Sequence, residues 1–73
     1  MRCEQIVGIN IRKLRKAKGL SQEALAADSG IDMRYLGGIE RGQENPTVAV
    51  VGDIAKALGV HPSALLMETR SKP

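Results

Sequence analysis

The side chains best equipped for chemistry in this 73-residue chain are hydrogen-bond donors rather than nucleophiles. They gather between Gln22 and Asn45. Arg34 carries a rigid fork of N–H groups that can bond guanine O6 and N7 together, or rest on a phosphate oxygen as an ordinary surface arginine. Met33 beside it offers an apolar contact suited to a thymine methyl. Tyr35 can bond a phosphate or lean on a sugar edge, and equally can lie half-packed on its own domain. Gln22 suits a phosphate oxygen, and Arg41, Gln43 and Asn45 could grip a nucleic-acid backbone. Arg41 also fits a plain role as the cation favoured at a helix C-terminus. The Glu44 charge argues against a strongly phosphate-gripping loop. Catalytic chemistry has no such support: there is no nucleophile–base pair, phosphate loop or ligand-spaced carboxylate set. The single His61 precedes Pro62 and reads as a local cap or surface residue. Cys3, the one cysteine, cannot form an internal disulfide, and no Cys/His cluster has metal spacing. The expectation is a protein that is not an enzyme and needs no cofactor or metal.

Two short helices joined by a tight turn must position these donors. Ser21 is a good N-cap, so one helix is predicted over Gln22 to Asp28 with Leu25 and Ala26 inward. Gly30 takes the left-handed turn conformation, and Ile31 drops into the core. Asp32 then caps a second helix lasting to Gly42. Ala26 is the small residue that a steep helix crossing needs, and Leu36 and Ile39, at i and i+3, form the stripe facing the first helix. Leu25, Ala26, Gly30, Ile31, Leu36 and Ile39 together hold the distances of a helix-turn-helix, in which the N-terminal half of the second helix enters the major groove of duplex DNA. Met33, Arg34, Gly37 and Gly38 are left on or near the outer surface. The two glycines cost roughly 1 kcal/mol each relative to alanine. Either they are a packing accident, or a bare backbone lets the helix sit deep in the groove, so that DNA shape carries more of the specificity.

Ser21-Gln22-Glu23-Ala24-Leu25-Ala26, Gly30-Ile31, Tyr35-Leu36-Gly37-Gly38-Ile39-Glu40-Arg41-Gly42 and Asn45-Pro46-Thr47 resemble the phage-repressor (Cro-like, XRE) helix-turn-helix family. The resemblance covers roughly residues 6 to 67. It implies an all-α, compact five-helix lambda-repressor-like DNA-binding domain, with residues 32–41 as recognition helix. It also implies a homodimer acting on an inverted-repeat operator. Larger polar residues are more usual in the family at the positions of Gly37 and Gly38. The family pattern supplies a partner for Arg15, which borders the apolar face of the first helix: Glu40, whose pairing would clamp the first helix to the third. Small phage repressors and restriction–modification controller proteins are the members of similar length. An antitoxin repressing its own operon, with a toxin as partner, stays open beside them. So does a protein-interaction or RNA-associated module that uses the same fold.

Size and charge fit this reading. Seventy-three residues make one domain with a modest core, where dimer formation adds appreciable stability. One Tyr and no Phe or Trp leave no stacking platform for single-stranded nucleic acid. The net charge is +3, and all the excess lies before residue 42. Residues 1–4 read as a loose lead-in. Val7, Ile11 and Leu14 give one face of a first helix from about Gln5 to Lys18, with Gly19 at its end. Arg12, Lys13 and Lys16 lie opposite that stripe, exposed or on phosphate. Thr47 caps a fourth helix with Val48, Val51, Ile54, Ala55 and Leu58 inward, and Gly59 ends it. Pro62 opens a short fifth helix to about Met67, and residues 68–73 form a tail with too little apolar content to order itself. Val50, Leu65, Leu66 and Met67 exceed what one small core can bury and are the expected dimer contact. No run approaches the ~20 apolar residues of a membrane span, so a cytoplasmic protein is expected. Without a ligand domain, regulation by its own concentration is the economical expectation.

Overall fold

The computed structural model describes residues 2–68, and these fold as four α-helices and one 3-10 turn. No described residue is in a strand. The expected tail falls largely on residues 69–73, outside the described residues.

The first helix, α1, spans Cys3–Ala17. It begins earlier than the apolar stripe suggests, because the Gln5 carboxamide accepts the Arg2 backbone N–H at 3.0 Å and Arg2 pairs with Glu4 at 3.1 Å. These local contacts turn the expected lead-in into helix. In α2, Gln22–Ser29, the Ser21 hydroxyl accepts the Ala24 N–H at 3.0 Å, and Gly30 closes the helix at φ 74°. The chain then turns back sharply, with the Ile31 N–H donating to the Ala26 carbonyl at 3.0 Å. The next helix, α3, is Met33–Glu40, shorter than the sequence suggests. Its last turn is closed by the Gln43 and Glu44 N–H groups, which both donate to the Gly38 carbonyl at 2.9 and 3.2 Å. Thr47 caps α4, Val48–Leu58, through a 3.1 Å bond from the Val50 N–H.

Where a fifth α-helix was expected there is a 3-10 turn, Pro62–Leu65. The reason lies across the molecule. Buried Asn10 of α1 donates its side-chain amide to the Leu65 and Met67 carbonyls at 2.9 and 2.8 Å. Those carbonyls are thereby engaged, and the chain is tied down after a single turn.

Val7, Ile11, Leu25, Leu36, Ile39, Ile54, Leu58 and Leu65 make one continuous aliphatic core. α2 packs on α3 and α4, α1 packs on α3, and the 3-10 turn closes over α1 and α4. The α1–α3 approach is very close at Gly8. A Cβ there would run into the Ile39 carbonyl oxygen and stand 2.8 Å from that of Glu40. Leu65 is fully buried in this core, which removes it from the expected dimer contact. Val50 is half-buried against the same core, while Leu66 and Met67 are 55% and 64% exposed.

Candidate nucleic-acid interface

The face of α3 turned from the core is set by its two buried anchors. Leu36 and Ile39 are completely buried, so residues on the opposite side of the helical wheel, Arg34, Gly37, Gly38 and the following Arg41, point outward. Met33 and Arg34 occupy the first turn and are exposed, the Arg34 side chain to 91%. Tyr35 is half-buried against the core, the packed alternative for that residue.

The helix start is built by Asp32. Its carboxylate accepts the Arg34 backbone N–H at 2.7 Å and lies 3.6 Å from the Arg34 Nε. The backbone hydrogen bond, helped by the guanidinium charge and opposed in part by desolvation, holds the Asp32 carboxyl below its ordinary value of 3.8. Arg34 is thus restrained by its own cap while its outer N–H groups stay available.

Behind the face, α3 is braced. Arg15 Nε donates to Glu40 Oε2 at 2.8 Å and Arg15 Nη2 to Glu40 Oε1 at 3.1 Å, a two-bond pairing between side chains 10% and 3% exposed. Arg15 Nη1 also donates to the Leu20 carbonyl at 2.9 Å. Gln22 joins this group by donating Nε2 to Glu40 Oε1 at 3.0 Å. Sequence reasoning had Gln22 only as a phosphate donor; here its amide also ties the start of α2 to the end of α3. Its second amide N–H has no partner among the described residues.

Gly37 and Gly38 correct the expectation of a bare backbone. Both are buried, yet the atoms nearest a hypothetical Cβ belong to polar side chains rather than to the core. Over Gly37 lie Arg41 Nη1, 3.2 Å from that Cβ position, and Gln22 Oε1 at 3.8 Å. Over Gly38 lies Glu44, whose Cγ is 2.6 Å from that position. The glycines are seats for side chains arriving from α2 and the α3–α4 loop. Gln43 is drawn to the same place, accepting from Arg41 Nε at 3.1 Å. Gln22, Arg34, Arg41 and Gln43 therefore surround one outward surface. Asn45 instead lines an apolar groove beside Cys3 and Val48.

Two features were missed from the sequence, Asn10 as an anchor and Glu44 as a cover. A signal existed for Asn10, which sits three residues after Val7 on the apolar stripe of α1, where a polar side chain needs a partner. His61 is a local cap, its Nδ1 accepting the Ser63 N–H at 3.1 Å. Among the described residues no cluster of three or more His, Cys, Asp or Glu could hold a metal ion, and no helix is long and apolar enough to cross a membrane.

Comparison with known proteins matches this geometry. The helix-turn-helix family model HTH_3 matches residues 11–65. The HTH-type transcriptional regulator y4dJ of Sinorhizobium fredii is 42% identical over 73 residues, covering 100% of this chain and 95% of its own. The control protein C.SmaI of Serratia marcescens is 38% identical over 66 residues, covering 90% and 79%. The crystal structure of the restriction-modification controller protein C.AhdI from Aeromonas hydrophila superposes with a TM-score of 0.83 at 47% identity, covering 85% of this chain and 94% of that one. With its capped helix pair, braced second helix and this kinship, the chain belongs to the HTH_3 helix-turn-helix family of DNA-binding transcriptional regulators.

Proposed function

We propose that this protein is a sequence-specific regulator that binds an inverted-repeat operator as a homodimer, with the first turns of α3 in the major groove. The observation that carries this reading is the fully exposed Arg34 at the start of a helix whose opposite side is locked into the core by Leu36, Ile39 and the Arg15–Glu40 pair. Such a side chain is free to meet a base edge while its backbone cannot yield. Gln22 on one side and Arg41 and Gln43 on the other are placed for phosphates, which orient the domain without reading sequence.

Pairing of two copies is supported by an apolar groove of about 290 Å³ whose lining includes Cys3, Pro46, Val48, Gly52 and Leu66. Val48, expected to face inward, is instead 90% exposed there at the first position of α4, a large apolar side chain left in water on a helix whose Val51, Ile54, Ala55 and Leu58 are buried. The dimer contact assigned from sequence is accordingly moved to Val48, Leu66 and Met67, with Val50 at its edge. Relatives include restriction–modification control proteins, which favours action through its own concentration.

Selection from a random duplex pool, followed by anisotropy titration, tests the reading. The selected duplex should be palindromic, with half-sites about one helical turn apart. It should take up two chains and bind ~10³-fold or more above random duplex, with a steep salt dependence. Equal, weak binding to any duplex would overturn the proposal.

A further inference from the structure

We propose that Glu44 is a specificity-determining residue, a carboxylate laid on the outward face of α3 that reads the amino group of cytosine in the position a side chain at Gly38 would otherwise occupy. This rests on the DNA-binding reading above. Four observations lead to it. Gly38 is one helical turn beyond Arg34, so the two share a face. The Glu44 side chain lies directly on Gly38, its Cγ 2.6 Å and its Oε2 3.5 Å from where a Cβ would be. Its backbone is fixed there, because the Glu44 N–H donates to the Gly38 carbonyl at 3.2 Å beside the 2.9 Å bond from Gln43. Finally, Asp32 is engaged with Arg34 and Glu40 with Arg15, whereas the Glu44 carboxylate has no hydrogen-bond or ion-pair partner among the described residues.

An ionised carboxylate only accepts hydrogen bonds. In the major groove guanine presents acceptors at O6 and N7 and thymine an acceptor at O4, all of which repel it. Adenine offers an amino group with the N7 acceptor beside it. Cytosine N4–H₂ is the one donor without an acceptor neighbour on the same base. Glu44 therefore favours cytosine by attraction, excludes guanine and thymine by repulsion, and ranks adenine below cytosine because its N7 opposes the carboxylate. Arg34, one turn away, demands the opposite pattern. The same charge opposes phosphate, so it lowers binding to random duplex and widens the gap between right and wrong sites. The two adjacent glycines then have a purpose: they leave room on the helix for side chains supplied from outside it.

Binding-site selection with the full chain and with Glu44→Ala, Glu44→Gln, Gly38→Ala and Arg34→Ala tests this, each variant checked for helical content by circular dichroism. Glu44→Ala should lose one cytosine preference per half-site, roughly 5- to 150-fold in discrimination, and should bind random duplex more tightly. Glu44→Gln should move that preference toward adenine, which a carboxamide can bond through both N6 and N7. Gly38→Ala keeps the charge but puts a methyl where Glu44 Cγ lies, so it should lose the preference at the same position as Glu44→Ala. Base profiles that superimpose for the wild type and all Glu44 and Gly38 variants, while Arg34→Ala still loses a base of its own, would overturn the role of Glu44 and leave the DNA-binding reading standing. Tighter random-duplex binding with an unchanged profile would also overturn it. A wild type that selects no sequence would overturn both.

Discussion

Replacing one member of the Arg15–Glu40 pair should damage the protein more than replacing both. The pair is nearly dry, its side chains 10% and 3% exposed, and it is joined by bonds of 2.8 and 3.1 Å. Arg15→Met keeps the aliphatic stem but strands the Glu40 carboxylate with Gln22 alone. Glu40→Leu strands the guanidinium with the Leu20 carbonyl alone. A buried charge deprived of its partner typically costs 3–5 kcal/mol, and since each survivor keeps one hydrogen bond we expect about 3 for either variant. In a domain this small that lowers Tm by roughly 12–24 °C. The double variant leaves no unpaired charge. It loses only the bonds to Leu20 and Gln22, about 1 kcal/mol each, so it should be destabilised by about 2 kcal/mol. The assay is urea unfolding followed by far-UV circular dichroism at one fixed protein concentration, because the proposed self-association would make apparent stability concentration-dependent. A double variant weaker than both singles, by their sum within ~0.5 kcal/mol, would show that the two side chains act independently and that the clamp does not exist.

Other expectations follow from single contacts. Arg34→Ala should cost ~1–3 kcal/mol of specific binding and relax one base position per half-site, whereas Gln22→Ala should weaken all duplexes alike; titrations against selected and random DNA separate them. Gly8→Ala should destabilise by ~1–3 kcal/mol in urea unfolding despite alanine's better helix propensity, because the new methyl meets the Ile39 and Glu40 carbonyls. Gly52→Ala, where a Cβ meets nothing within 4 Å, should instead stabilise the monomer by up to ~1 kcal/mol. Asn10→Ala leaves the buried Leu65 carbonyl without its donor and should cost about 1–3 kcal/mol, together with weaker self-association in sedimentation if Leu66 and Met67 join the dimer contact. The depressed Asp32 carboxyl contributes stability that is fully present above its ordinary value of 3.8 and is lost as pH falls through the lower folded value. Comparison of acid unfolding with Asp32→Asn, which keeps the cap but not the titration, should remove that component.

What the sequence made legible was most of what neighbours along the chain govern. Ser21, Asp32 and Thr47 cap helices because their side chains reach N–H groups two or three residues ahead. The stripes through Val7 and Ile11, and through Leu36 and Ile39, face the core because helical periodicity leaves them no other direction. The candidate reading surface followed at once, since fixing the inner side of α3 fixes its outer side. The largest corrections involved residues far apart in the chain. Leu65 was taken for surplus apolar surface, but the 55-residue span between it and Asn10 is closed by a hydrogen bond that pulls it into the core. The fifth helix was cut to one turn by the same side chain.

The glycines show why composition alone could not have settled the site. Gly8 admits the carbonyls of another helix, Gly38 admits a carboxylate-bearing side chain from a loop, and a Cβ on Gly52 would meet no protein atom within 4 Å. Helix propensity assigns all three the same penalty of roughly 1 kcal/mol. Only the identity of what fills the vacated space separates a packing requirement from a functional one. At Gly8 the filler is backbone, which cannot move without shifting α3, so the glycine serves the fold. At Gly38 the filler is a charged and unpaired side chain on the outward face, whose outer atoms can swing aside although its backbone is hydrogen-bonded in place. That asymmetry groups Gly38 with the proposed DNA-facing surface. It also predicts that Gly38→Ala relaxes base preference ahead of any loss of stability, whereas Gly8→Ala lowers stability first.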